Sequence, residues 1–114
     1  MHEMSLVSAL LDSLQEMKEA HDWKAVISVT LKVGAMRQVV PETMIFAFQV
    51  SVRGTSLDGA TLVLIPVPVR FFCAACGARW GREKLGYLCP SCGGMDVVLE
   101  QGMELELDSV EVEE

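Results

Sequence analysis

The sequence predicts an α+β protein: two helices packed on a small mixed or antiparallel sheet, with a zinc-ribbon module inserted before the last strand. Three observations carry this. Apolar residues recur at helical spacing over Met4–Ala20 and again after Pro41. They alternate over Ala25–Val33, Thr61–Val67 and the stretch after Met103. Between the second and third alternating stretches lie two matched Cys-x-x-Cys-Gly knuckles. The order helix, strand, helix, strand, insert, strand places the helices in one layer on the sheet. It divides the chain into one domain of residues 1–67 plus 98–114 and a ribbon of residues 68–97.

In the first helix Val7, Leu10, Leu11, Leu14 and Met17 form the apolar stripe, and Asp12, Gln15, Glu16 and Glu19 fall on other faces. Ser5 is the expected N-cap, because its hydroxyl accepts an orphan N–H. His2 and Glu3 then lie just ahead of the helix. In the first strand Ile27, Val29, Leu31 and Val33 share one face, and Val26, Ser28, Thr30 and Lys32 share the other. Pro41 suits the first turn of the second helix, where its missing N–H costs nothing. Met44, Ile45, Phe48 and Val52 form its stripe, Glu42 favours its dipole, and Gly54 is placed as a left-handed stop. Pro66 and Pro68 mark the exit of the second strand. In the last strand Met103, Leu105 and Leu107 alternate, then Val110 and Val112 in the opposite parity, which predicts a bulge near Asp108 and Ser109.

Composition narrows the function. The 114 residues carry a formal net charge of −7, which disfavours a general polyanion binder. The charge is uneven: residues 68–97 hold Arg70, Arg79, Arg82 and Lys84 against Glu83 and Asp96, whereas Glu100–Glu114 holds seven acids and no Lys or Arg. The +2 of the ribbon is too small for a nucleic-acid footprint. The acidic body instead offers a basic protein partner a place to dock. No apolar run approaches the ~20 residues of a membrane-spanning helix. No basic segment or cleavable apolar stretch follows Met1-His2-Glu3, so the expected location is the cytoplasm, where thiols stay reduced. No Ser-His-Asp set, phosphate-binding glycine loop or HExxH pattern appears, and an enzyme is not expected.

Cys73-Ala-Ala-Cys76-Gly77 and Cys89-Pro-Ser-Cys92-Gly93 are separated by twelve residues. Two such turns supply a tetrahedral S₄ site, and four thiolates leave no open position for a catalytic water, so structural Zn(II) is the favoured reading. Iron in a rubredoxin-like site is a minor alternative, and two disulfides are weaker still in a reducing compartment. The module has little apolar content, so metal binding should supply much of its folding energy.

The bulky His2 should prevent removal of Met1, leaving a free amine beside an imidazole. Amine, His2 amide nitrogen and imidazole close fused chelate rings that suit Ni(II) or Cu(II). Glu3 offers a backbone nitrogen or a carboxylate as a further donor. On spacing alone a lone histidine near a terminus is more often simply solvated. His21, the other histidine, reads as a polar residue at a helix end.

Taken together, Met1-His2-Glu3-Met4-Ser5, Val33-Gly34-Ala35-Met36, Pro41-Glu42, Phe46-Ala47-Phe48, Arg53-Gly54-Thr55, the two knuckles and the final Glu104-Leu105 to Glu113 strand resemble the HypA/HybF family of hydrogenase nickel-incorporation proteins over essentially the whole chain. The resemblance implies a nickel metallochaperone for maturation of [NiFe]-hydrogenase. It implies nickel ligation by His2, with the terminal amine of Met1 and the backbone nitrogens of His2 and Glu3. It implies zinc at Cys73, Cys76, Cys89 and Cys92. The implied partners are the GTPase HypB and the hydrogenase large-subunit precursor, with the chain a monomer or weak homodimer. Some family members carry an acidic residue just before the Pro-Glu pair; here Arg37-Gln38-Val39-Val40 stands there, and the sequence offers no physical reason for Arg37. The competing expectation is a zinc-ribbon adaptor that binds proteins but no nickel.

Overall fold

The computed structural model describes residues 2–81 and 88–114, with His2 described through its backbone. Met1, and the ribbon residues Arg82, Glu83 and Lys84, lie outside the described residues. In chain order the elements are α1 (His2–His21), β1 (Ala25–Gly34), a 3₁₀ turn (Ala35–Arg37), α2 (Pro41–Val52), β2 (Thr61–Val67), β3 (Arg70–Cys73), β4 (Arg79–Trp80), β5 (Val97–Gln101) and β6 (Leu105–Glu113). The strands form two three-stranded sheets, ordered β2-β1-β6 and β4-β3-β5. Two helices beside small sheets make the α+β class expected from the sequence. The chain divides into two compact units: residues 1–32, 39–65 and 106–114, and residues 33–38 and 66–105.

In the first unit α1 and α2 pack together. Val7 and Leu14 are fully buried on α1, as are Met44 and Phe48 on α2. Val29, Leu31 and Leu62 are buried on the strands. Each such side chain contributes about 1.5–3 kcal/mol of burial. α1 ends where Asp22 turns left-handed at φ 55° and the Trp23 N–H reaches back to Lys18 O at 3.0 Å, satisfying a carbonyl orphaned at the helix end. The first helix therefore runs further than its stripe predicted, in both directions. His2 and Glu3 are its first residues rather than a lead, and Ser5 sits exposed within it rather than capping it. Nothing in Met1–Ser5 breaks a helix, and Glu3 places a negative charge in the positive first turn.

β1 corrects a second expectation. Val26 is buried and Ile27 is 45% exposed, after which Val29, Leu31 and Val33 are buried. The expected inward face is therefore buried from Val29 onward, while Ile27, at its start, stays partly exposed and Val26 beside it is covered. The last strand is also not continuous from Met103. Val97–Gln101 forms β5, and Met103 is half exposed between β5 and β6. The expected boundary at residue 98 falls inside β5. In β6, Leu105 is half-buried, residues 106–109 are exposed, and Val110 and Val112 are half-buried again.

The second unit is tied by a tight backbone crossing. The Gly34 N–H donates to Glu104 O (2.7 Å), the Met36 N–H to Gly102 O (2.8 Å) and Arg37 Nε to Met103 O (2.8 Å). This gives Arg37 the physical role that the sequence did not reveal: it fastens the 3₁₀ turn to residues 102–104. A Cβ on Gly34 would collide with the Gly102 carbonyl, and Gly102 itself has φ +121° against Val69. Both positions require glycine, one for close approach and one for its dihedral.

Candidate metal centre

The ribbon sheet presents the first knuckle. β3 pairs antiparallel with β4, Phe71 opposite Trp80, and with β5, Cys73 opposite Val97. The Phe71 and Trp80 rings stack at 5.9 Å. Arg79 holds Glu100 through Nε at 2.9 and 3.0 Å and lies over the Phe72 ring. The buried core of this module is Cys73, Cys89 and Trp80, with Phe71, Ala78 and Val97 packed against it. Among the described residues, two of the three in this buried cluster are cysteines of the knuckles. The indole N–H of Trp80 is buried without an acceptor among the described residues.

The knuckles repeat one backbone pattern. Gly77 N–H donates to Cys73 O at 2.8 Å, and Gly93 N–H to Cys89 O at 2.9 Å. Gly77 and Gly93 take φ 80° and 73°, a left-handed position that side chains disfavour. Cys73 N–H then reaches Ala78 O, and Cys89 N–H reaches Gly94 O, both at 2.9 Å. The amides of Ser91 and Cys92 point at Cys89 Sγ, and the Gly94 amide points at Cys92 Sγ, each at 3.4 Å.

All four sulfurs lie within 4.8 Å of one another. Across the knuckles Cys73 Sγ stands 3.7 Å from Cys92 Sγ, and Cys76 Sγ 3.5 Å from Cys89 Sγ. A tetrahedron with Zn–S near ~2.3 Å has sulfur edges of about 3.8 Å. The residues fit a tetrathiolate zinc ion, which when bound cross-links the knuckles and leaves no position open for chemistry. Cys73 and Cys89 are buried, Cys76 and Cys92 exposed. The amides of Cys92 and Ser91 hold the Cys89 thiol down at about 6 against its partial burial. The Ala78 amide lowers Cys76, but sharing protons with Cys89, Cys73 and Cys92, together with burial, outweighs it and pushes Cys76 up to about 12. Cys92 is lowered by the Gly94 amide and raised overall by Cys73 and Cys89. Cys76 and Cys92 thus retain protons until a cation replaces them.

The N-terminal candidates sit elsewhere in the fold. His2 opens α1, and the Glu3 carboxylate accepts the Val40 N–H at 3.2 Å. Val40 is the N-cap of α2 and has no side-chain cap of its own. Glu3 therefore ties the start of α1 to the start of α2, a link invisible in sequence because 37 positions separate the residues. Glu42 is exposed in the first turn of α2. His21 donates from Nδ1 to Met17 O at 3.0 Å and stacks on Trp23, the helix-end role expected of it.

A two-helix α+β fold with a tetrathiolate ribbon, and with no helix long and apolar enough to cross a membrane among the described residues, defines a small metal-handling protein. The sequence signature of the family described as "Hydrogenase/urease nickel incorporation, metallochaperone, hypA" matches residues 1–112. A hydrogenase maturation factor HypA of Streptomyces avermitilis is 42% identical, covering 100% of this chain and 88% of the relative. That of Caldanaerobacter subterraneus is 35% identical over 99% of this chain and 100% of the relative. The solution structure of the Ni metallochaperone HypA from Helicobacter pylori superposes with TM-score 0.70 at 23% identity, covering 99% of this chain and 98% of that one. A second HypA solution structure gives TM-score 0.76 at 24% identity, covering 98% and 96%. The chain belongs to the HypA family of hydrogenase maturation factors, which are metallochaperones and not enzymes.

Proposed function

We propose that this chain carries Ni(II) on its N-terminus and hands it over during maturation of [NiFe]-hydrogenase, while the four-cysteine ribbon holds structural Zn(II). The observation that carries the reading is His2 directly after Met1, at the start of α1, in a chain of this family. The amine of Met1, the imidazole and amide nitrogen of His2 and the backbone nitrogen of Glu3 form the donor set. The first N–H groups of a helix have no intrahelical acceptor, so a metal takes such nitrogens without breaking the helix ladder. The Glu3 carboxylate already accepts the Val40 N–H, which makes the Glu3 backbone nitrogen the simpler donor. That bond also limits how far the loaded terminus wanders from α2.

Delivery needs a site that binds well yet exchanges its cargo, and nitrogen donors at a chain terminus suit both needs. The recipient is the hydrogenase large-subunit precursor, with the GTPase HypB as the partner in transfer, in the cytoplasm. On this reading nickel belongs to the helix-bearing unit and zinc to the unit that carries the four cysteines. Nickel titration by calorimetry into zinc-loaded protein tests the assignment. His2→Ala should lose stoichiometric nickel binding and keep its zinc. Unchanged nickel binding in that variant would sink the N-terminal assignment, and absence of specific nickel binding in the wild-type chain would favour the adaptor reading, in which only zinc is held.

A further inference from the structure

We infer that the outer face of the β2-β1-β6 sheet is a docking surface for a basic amphipathic helix of a different protein. The sheet buries one face, where Val29 and Leu31 of β1 and Leu62 of β2 join the core. By alternation Ser28, Thr30 and Lys32 of β1, and Val63 and Ile65 of β2, stand on the other face. Val63 and Ile65 are 44% and 37% exposed, and β2, an edge strand, carries no charged residue over Thr61–Val67. At the opposite edge the acids of β6 gather on this same face. Glu111 accepts the Ser28 hydroxyl at 3.2 Å, and Asp108 pairs with Lys32 at 3.5 Å. Strict alternation would set Asp108 and Glu111, three residues apart, on opposite faces. The parity slip expected near Asp108 and Ser109 turns both outward. Glu106 and Glu113, two residues beyond them on either side, follow by alternation.

The layout across the three strands selects the occupant. Val63 and Ile65 form an apolar row, Ser28 and Thr30 a low floor, and Glu106, Asp108, Glu111 and Glu113 an acidic row. The outer rows are two strand spacings apart, about 10 Å, which is close to the width of an α-helix with its side chains. A helix laid over Ser28 and Thr30 sets apolar side chains against β2 and Lys or Arg against β6. Among the described residues Lys32 offsets one acid of that row, and Glu106, Glu111 and Glu113 have no ion pair. An added strand fits less well, because the acids of β6 and Pro66 on β2 guard the two edges. A second copy supplies no such helix: α1 has Lys18 alone among Glu3, Asp12, Glu16 and Glu19, and α2 has no Lys or Arg. The acidic row also repels nucleic acid and anionic lipid.

Every residue of this surface belongs to the helix-bearing unit. None is a knuckle cysteine or a proposed nickel donor, so docking here is read independently of either metal. Exposed ion pairs alone contribute little, so a partner must cover the apolar row as well as answer the acids. Salt should weaken the contact through the acidic row and leave the apolar part in place.

Amide chemical shifts of the zinc-loaded full chain, titrated with synthetic peptides of roughly 18 residues, about 27 Å of helix, test the inference. The probe has leucines on one helical face and lysines on the other. Its controls are the same composition scrambled to destroy the stripe, a leucine–glutamate version, and a strand-forming peptide of alternating valine and lysine. The probe should bind one to one, with shifts confined to residues 28–32, 61–65 and 106–113, and at least tenfold more tightly than any control. Val63→Ser and the double variant Glu106→Lys/Glu113→Lys should each weaken it at least tenfold. All three positions are exposed, so circular dichroism and zinc content should not change. No saturable binding by the wild type overturns the proposal, as do shifts spread over other surfaces. So does equal binding of the scrambled or strand-forming peptide, or a probe affinity that survives both variants. Chain self-association that shifts the same residues without peptide would assign the face to a second copy and overturn it as well.

Discussion

The two units solve the same folding problem with different materials. The helix–sheet unit buries Val7, Leu14, Val29, Met44, Phe48 and Leu57 almost completely, a core built from apolar side chains. Among its described residues the buried cluster of the ribbon is Cys73, Cys89 and Trp80, and two of those three are knuckle cysteines. The difference teaches where stability resides. In the first unit it is spread over many side chains, and in the second it is concentrated in one ion.

The sharpest way to break the comparison is to remove zinc. Chelation, or Cys73→Ser, should cost the ribbon on the order of 10 kcal/mol, seen as loss of amide protection in residues 70–101. The helices should keep their far-ultraviolet signal. A cooperative loss of both units would mean that the metal also supports the helical core. The reciprocal change is Phe48→Ala, a fully buried aromatic. It should destabilise the helical unit by about 3–5 kcal/mol in chemical denaturation, with zinc content unchanged. Gly34→Ala should cost about 3 kcal/mol, because its Cβ meets Gly102 O and neither backbone can yield easily. Loss of the Gly34–Glu104 and Met36–Gly102 bonds, read by hydrogen exchange, would locate that damage.

Acidity gives the smallest and most graded effect. At neutral pH the metal-free ribbon keeps protons on Cys76 and Cys92, both raised, while Cys89 near 6 is already thiolate. Zinc displaces the retained protons, so apparent zinc affinity falls as pH falls. Below about pH 6 Cys89 also takes a proton, and the dependence should steepen by one proton per zinc. Competition with a chromophoric chelator across pH reads that slope.

Much of this was legible because it depends on local spacing. The four cysteines declare themselves by two identical turns, and the glycines after them by the turn each must complete. The limits of α2 and β2 followed from Pro41, Gly54 and the Pro66–Pro68 pair, and both elements run where those residues place them. What was hidden depends on contacts far apart in the chain. The exposure of Ile27 depends on what packs over the start of β1 and leaves no mark on an alternating sequence. Val97–Gln101 reads as a lead into the last strand until β3 claims it as a partner. Arg37 had no evident purpose until Met103, 66 positions away, supplied its acceptor. The helical state of His2 and Glu3 escaped because the apolar stripe begins only at Met4, although the backbone needs no apolar side chain to continue one more turn.

The central claim is that nickel is held by the terminus itself. The most direct measurement is nickel affinity of two proteins that differ by one glycine placed before Met1, each with its N-terminus verified by mass spectrometry and its zinc content by elemental analysis. The extension leaves His2, Glu3 and the ribbon in place and displaces only the terminal amine from the His2 chelate. The account predicts tight binding of one nickel by the native chain, a loss of at least tenfold on extension, about 1.4 kcal/mol, and equal zinc in both. Equal nickel affinity in the two proteins would contradict it.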